Sequence, residues 1–205
     1  MNTQNVHPLV VTFDNLLGLR QHAAANPNDA AAQFVAFCAA NMMRSQSQLF
    51  QDLFVVFFLQ GKRNGFFVEF GATDGRGLSN TFILERDFQW NGILAEPARC
   101  WHAALKSARR AAIDTRCVWS ESGQTLEFKE TDLKELSTLT NLADRDFNRE
   151  DRTKGTTYPV QTVSLLDLLA AHNCPREIDY LSIDTEGSEL PILNRSEEHT
   201  SELQS

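Results

Sequence analysis

One stretch constrains the chain more than any other: Phe66 to Glu85, FFVEFGATDGRGLSNTFILE. Phe66, Phe67, Val68 and Phe70 form a short apolar run between Gly65 and Gly71, as expected of a strand buried on both faces. Gly71, Gly75 and Gly77 let the backbone turn sharply and allow close approach of a ligand. Ser79 or Asn80 can cap a helix running through Thr81, Phe82, Leu84 and Glu85. A strand that feeds a helix through glycines is the first half of a βαβ nucleotide-binding unit.

The acids around the turn narrow the ligand. A pyrophosphate needs bare amides and a positive helix end, and Glu69 and Asp74 would repel it. S-adenosylmethionine (SAM) has no phosphate and carries a sulfonium and an ammonium, so acids suit it. The GxGxxG spacing of a dinucleotide site is missing, which speaks against a Rossmann-type NAD or nucleotide-sugar enzyme.

Further acids recur at strand ends. Gly92-Ile93-Leu94-Ala95-Glu96-Pro97 reads as a second buried strand, and Glu96 falls at about the 20-residue offset from the turn where an acid binds ribose hydroxyls. Ile178 to Asp184 reads as another buried strand ending in acid, followed by Thr185-Glu186-Gly187-Ser188-Glu189 and a helix starting near Ser188 to Leu190. In an open parallel α/β sheet, ligands bind outside the carboxyl ends of the strands. The convergence of Gly71, Glu96 and Asp184 there carries more weight than any single motif. Asp184, Glu186 and Glu189 are equally read as caps of the following helix. A divalent metal on these carboxylates is disfavoured, because no histidine accompanies them.

The rest of the chain is read more coarsely. Residues 1–60 form an N-terminal helical segment, with a short helix around Phe13 to Arg20 and a longer one from Asp29 to Gln60 that Gly61 ends. This longer helix packs across the sheet edge or lies over the ligand mouth. Ala98 to Arg110 is a helix with Trp101, Ala104, Leu105 and Ala108 on one face and Lys106, Arg109 and Arg110 on the far side or at its end. His102 on this helix reads as an ordinary histidine. Ala112 to Trp119 is a third strand, running into Ser120. Thr125 to Glu130 alternates as a half-exposed antiparallel strand does. Asp132 to Tyr158, polar and charged, reads as a mobile surface insertion. Val160 to Val163 is a strand, and Ser164 caps a helix over Leu165 to Ala171.

Composition bounds the class. The chain has 205 residues, 42% of them hydrophobic and 22% charged, with a formal net charge of −8. That suits one globular domain and argues against a general nucleic-acid binder. The four cysteines show no CxxC pair and read as reduced thiols. The longest apolar run, Leu53 to Leu59, is far short of the ~20 residues a membrane-spanning helix needs. The expected partner is a small-molecule acceptor rather than nucleic acid or membrane, in a cytoplasmic setting.

Taken in order, FFVEFGATDG, LSNTFILE, GILAEP, TVSLLDLL and IDYLSIDTEGSE resemble the FkbM family of SAM-dependent methyltransferases. The resemblance covers roughly Leu49 to Asn194, and its specific parts are the SNT-xx-LE and ID-x-EG-x-E blocks. It implies an α/β, Rossmann-like SAM-dependent methyltransferase fold with a mostly parallel sheet, over residues 61–194, and O-methylation of a small molecule or sugar. A non-catalytic binding or trafficking module on the same fold is the alternative. The resemblance assigns Glu69, Gly71, Ala72, Asp74 and Gly75 to the methionine part of the cofactor and Glu96 to the ribose. It puts Asn80 and Ser120 in the cofactor site as well. By the same resemblance Asp184 would sit beside the sulfonium or the substrate, and Asp184, Glu186 or a histidine is the candidate base, with Asp184 favoured for its place at a strand end.

The final segment, Arg195 to Ser205 (RSEEHTSELQS), matches the in-frame translation of a widely used sequencing adapter. The natural product is therefore expected to diverge from this chain at about Asn194, where the implied sheet still needs further strands. The strand ending at Asp184 would then keep an unpaired edge, and the chain as written is expected to turn over weakly or not at all.

Overall fold

The computed structural model describes residues 8–140, 154–185 and 187–194. Two four-stranded sheets organise them. The first is wholly parallel, in the order β3-β2-β1-β8, with β1 at Phe66–Phe70, β2 at Asn91–Ala95, β3 at Ala112–Asp114 and β8 at Tyr180–Ile183. In register, Val68 stands between Ile93 and Leu181. The second sheet runs β4-β7-β5-β6, with β4 at Cys117–Trp119, β5 at Thr125–Thr131, β6 at Thr138–Leu139 and β7 at Gly155–Ser164. Here β5 is antiparallel to both neighbours, while β4 and β7 are parallel.

Burial on both faces explains why the strands of the first sheet are continuous apolar runs. Phe67 and Leu94 face a core completed by Leu53, Val56, Ile83, Leu84 and Leu105. These come from α3 (Gln51–Phe58), α4 (Phe82–Phe88) and α5 (His102–Ala108). Val68, Phe70, Ile93 and Ala95 face the opposite core with Val118, Val163, Ile192 and Leu168 of α6 (Leu165–Ala171). Ser164 caps α6, its hydroxyl accepting from the Asp167 amide.

The N-terminal part departs from the sequence reading. The first helix, α1 (Pro8–Ala25), is longer than Phe13 to Arg20. It is tied to α2 (Ala30–Asn41): Ala23 is buried, and its carbonyl accepts from Gln33 Nε2 at 2.7 Å. The single helix expected over 29–60 is two. Asp29 caps α2 as expected, accepting from the Ala32 amide at 3.1 Å. Asp52, fully buried, then gathers the Ser45 hydroxyl (2.6 Å), the Gln46 amide (3.1 Å) and the Ser47 hydroxyl (2.7 Å). That carboxylate folds residues 45–47 into a turn and starts α3 anew.

Three other expectations need correction. Residues 112–119 are not one strand. The Asp114 carboxylate accepts from the Arg116 amide at 2.9 Å and from its guanidinium, which bends the chain and sends β3 and β4 into different sheets. The segment from Asp132 to Tyr158 is not simply a surface insertion. A 3-10 turn (Lys134–Leu136), β6 and the start of β7 belong to the second sheet, and residues 141–153 lie outside the described part. The helix expected over 98–110 is only α5, and Arg109 stands at its end, one of the two expected placements, but buried. Arg109 leaves the helix in an extended conformation and turns fully into the interior.

Among the described residues β8 has a strand partner, β1, on one side only. The tail 195–205 and the reading attached to it lie outside the described residues. No described helix is long and apolar enough to cross a membrane.

Candidate functional site

The turn after β1 is held in place from several sides. Gly71 has φ +75°, and a Cβ there would stand 1.9 Å from the Asp184 carbonyl oxygen, so only glycine permits this approach of β1 to β8. Its amide donates to the Ala95 carbonyl at 3.0 Å. Asp74 Oδ1 accepts from the Arg76 amide (2.8 Å) and the Gly77 amide (2.7 Å), an Asx-type closure of the loop. Gly75 (φ +79°) lies against Leu105 and the Arg109 stem, which leave no room for a Cβ.

Beneath the turn is an ion-paired hub that the sequence reading missed. Arg109 donates to Glu85 Oε2 (3.0 Å), the Gly75 carbonyl (3.0 Å), Ser79 Oγ (3.1 Å) and Thr81 Oγ1 (2.8 Å). Its guanidinium stands 3.7 Å from Glu69 Oε2. Glu69 accepts from the Asn80 amide (2.7 Å), the Ser79 hydroxyl (3.1 Å) and the Thr81 hydroxyl (2.5 Å). Burial pushes the Glu69 carboxyl up, against the opposing pull of Arg109 and these donors. Ser79 Oγ also accepts from the Phe82 amide at 3.1 Å at the start of α4, although the N-cap residue is Thr81 rather than the expected Ser79 or Asn80. So the SNT block ties the strand, the turn and the helix into one unit.

A cavity of about 280 Å³ opens at the carboxyl ends of β1, β2 and β8. Of the residues singled out in the sequence, Glu69, Gly71, Asn80, Glu96 and Asp184 line it. Ala72, Asp74, Gly75 and Ser120 are not among its lining residues: Ala72 is buried, Asp74 and Gly75 shape the turn, and Ser120 follows β4. Glu186 lies outside the described residues. The far wall comes from the second sheet and its connection, through Cys117, Val118, Phe128, Leu139 and residues 134–137. Trp101, expected on a helix face, lines the cavity from the turn before α5.

Glu96 bridges the two turns. Its Oε2 accepts from the Thr73 amide (2.8 Å) and its Oε1 from the Ala98 amide (2.7 Å). Burial, opposed by these two amides, leaves the carboxyl pushed up to about 7. His102 packs at the back of this turn, its Nε2 2.9 Å from the Glu96 carbonyl oxygen. Asp184 is exposed on the cavity lining, and no described residue bonds its carboxylate. Partial loss of solvent around the carboxyl first, and Glu189 second, hold it above its ordinary value. Glu189 itself is engaged by the Thr185 amide (2.9 Å) and the Gly187 amide (3.1 Å), as a helix-start staple would be.

Two buried polar atoms on this cavity have no partner among the described residues: Asn80 Oδ1 and Trp101 Nε1. Asn80 Nδ2 is satisfied by Ser182 Oγ at 2.9 Å, so the amide is anchored while its oxygen is left over. Buried polar groups are rarely left unpaired in native proteins, so each of these two atoms calls for a partner, an ordered water included.

The fold thus defines an α/β domain with an acid-lined cavity at the strand ends of its parallel sheet. Residues 69–203 match the family model described as the methyltransferase FkbM domain, and the chain belongs to that family. Methyl transfer is the class of chemistry this membership supports. No curated protein and no solved structure matches the chain.

Proposed function

We propose that the chain is a SAM-dependent methyltransferase of Rossmann-like fold, acting on a hydroxyl of a small molecule or sugar. One observation carries the reading: carboxylates from three adjacent parallel strands (Glu69 in β1, Glu96 after β2, Asp184 after β8) line a single cavity. An acidic cavity suits a ligand with an ammonium, a sulfonium and a ribose diol, and repels a pyrophosphate. The residues present fit SAM. Asn80 Oδ1 offers an unused acceptor to the ammonium, and the Glu96 carboxylate is aligned by two amides to receive the ribose hydroxyls.

When bound, SAM supplies a methyl group activated on a sulfonium. The chain's own contribution is alignment and proton removal. Gly71 lets the backbone come close, Glu96 and Asn80 fix the two ends, and Asp184 accepts the proton of the acceptor hydroxyl. Its raised carboxyl suits it to that task better than an ordinary surface aspartate. Among the described lining residues the acids are Glu69, Glu96, Glu135 and Asp184, and the only base is Lys134.

Isothermal titration of the full chain with SAM, with its demethylated product S-adenosylhomocysteine (SAH) and with NAD tests this reading. We expect SAM and SAH to bind, NAD not to bind, and Glu96→Ala to lose at least ten-fold. Binding of NAD in place of SAM would overturn it. SAM binding with no methyl transfer to any hydroxyl acceptor would favour a binding module on the same fold.

A further inference from the structure

We propose that Tyr158 and Glu130, neither of which lines the cavity, are positioning residues for Glu96: from the second sheet they clamp the turn at residues 98–101, so that ligand affinity depends on a contact outside the cavity. The inference rests on the SAM reading above.

The turn is tied down on two sides. On the cavity side the Ala98 amide donates to Glu96 Oε1 at 2.7 Å. On the other, the Arg99 amide donates to the Tyr158 hydroxyl oxygen at 3.0 Å, and the Cys100 amide to Glu130 Oε2 at 3.3 Å. The Tyr158 hydroxyl donates to that same Glu130 oxygen at 2.7 Å, which closes a ring of bonds through β7, β5 and the turn. Arg99 adds a second grip. Its guanidinium lies 4.1 Å from the Tyr158 ring centroid and donates to the Pro159 carbonyl at 3.3 Å. Inside the turn the Trp101 amide donates to the Ala98 carbonyl (3.2 Å) and the His102 amide to the Arg99 carbonyl (3.3 Å). A shift at Arg99 or Cys100 is therefore carried to Ala98, and through its amide to the Glu96 carboxylate.

The clamp has an electrostatic signature, because Glu96 and Glu130 are like charges held on amides two residues apart. Burial resists ionisation of Glu130, but the Tyr158 hydroxyl and the Cys100 amide outweigh it and hold the carboxyl below its ordinary value. Glu130 is thus charged where Glu96 titrates, and it adds to the burial that pushes Glu96 up to about 7. The other titratable groups facing Glu96 are His102 and Cys100 from its own turn, Cys117 from β4, and Lys134 and Glu135 from the 3-10 turn. Glu69 and Asp184 stand across the cavity.

Isothermal titration with SAH at pH 6 and pH 8 on wild type, Glu130→Gln and Tyr158→Phe tests this. The ratio of the two affinities is the readout for Glu130, because a purely structural loosening lowers both alike. Glu130→Gln keeps an acceptor for Tyr158 and Cys100 and removes the charge. We expect its affinity to rise at least two-fold less between pH 6 and pH 8 than that of wild type. The same change in a Glu96→Gln chain should leave the ratio where it was. Tyr158→Phe keeps the ring under Arg99 but frees the Arg99 amide, and should bind SAH about five-fold more weakly at pH 8, as for the loss of one neutral hydrogen bond. A wild-type ratio in Glu130→Gln, or wild-type affinity in Tyr158→Phe, in a chain of native circular dichroism, would overturn the proposal while leaving the SAM reading standing. Failure of wild type to bind SAH at all would overturn that reading, and this inference with it.

Discussion

Replacing Arg109 by methionine is the sharpest probe of how the turn after β1 is held. The side chain is fully buried and its guanidinium makes four hydrogen bonds, to Glu85, Gly75, Ser79 and Thr81. Methionine fills most of the space but leaves Glu69 buried without a counter-charge and Glu85 with only the exposed Arg110, 3.6 Å away. Removing one partner of a buried ion pair costs about 3–5 kcal/mol, against a total stability of roughly 5–15 kcal/mol for a domain. We therefore expect Arg109→Met to lose about 3–5 kcal/mol in urea unfolding followed by tryptophan fluorescence, with the slope unchanged. The sign of its pH dependence follows from Glu69. That carboxyl is already raised by burial, and losing the guanidinium raises it further. A raised carboxyl contributes stability that is present below its unfolded value and lost as pH rises through the folded value. The deficit should therefore be smaller at pH 5 than at pH 8. Adding Glu85→Gln to Arg109→Met should restore part of the loss. A deficit under about 1 kcal/mol, or one that grows as pH falls, would refute the reasoning.

Other expectations follow from the same geometry. Gly71→Ala puts a Cβ 1.9 Å from the Asp184 carbonyl oxygen at φ +75°; differential scanning calorimetry should show a loss of about 3 kcal/mol, and SAM binding should weaken. Glu96, pushed up to about 7, must be ionised to accept two ribose hydroxyls, so SAH affinity should rise between pH 6 and 8, and Glu96→Gln should flatten that rise. Asp114 is buried, which alone would raise it, but Arg116 and His172 bring its carboxyl down to about 2. Its stabilising contribution is present above the ordinary aspartate value and lost as pH falls toward 2, so Asp114→Asn should flatten the acid limb of a pH–stability profile.

The parallel strands and the cavity acids were legible because they rest on short-range signals. Short apolar runs gave β1 (between two glycines), β2 (from Gly92 to Pro97) and β8 (between Pro175-Arg176 and Asp184), and an acid at each strand end gave Glu96 and Asp184. What escaped depends on contacts distant in sequence. Nothing local to Ala108-Arg109-Arg110 says that the first arginine turns inward, since its partners Glu69, Ser79, Thr81 and Glu85 lie more than twenty residues away. An arginine at the end of a short amphipathic helix reads as solvated. Asp52 is similar: a carboxylate inside an apolar helix pattern (LFQDLFVVFF) was the only hint of the break between α2 and α3. Trp101 fitted an apolar helix face by spacing, yet the helix starts one residue later and frees the indole to line the cavity. The bend at Asp114 had a short-range signal, an acid two residues before an arginine, that the apolar pattern of 112–119 masked.

On our proposal the methyl donor binds in the cavity between Gly71, Glu96 and Asp184. Hydrogen–deuterium exchange of the chain with and without saturating SAH tests it most directly. Slowed exchange in peptides covering 71–80, 96–101 and 184–188, with α1 and α6 unchanged, is the predicted result. Binding of SAH that protects other segments and leaves these three untouched would contradict it.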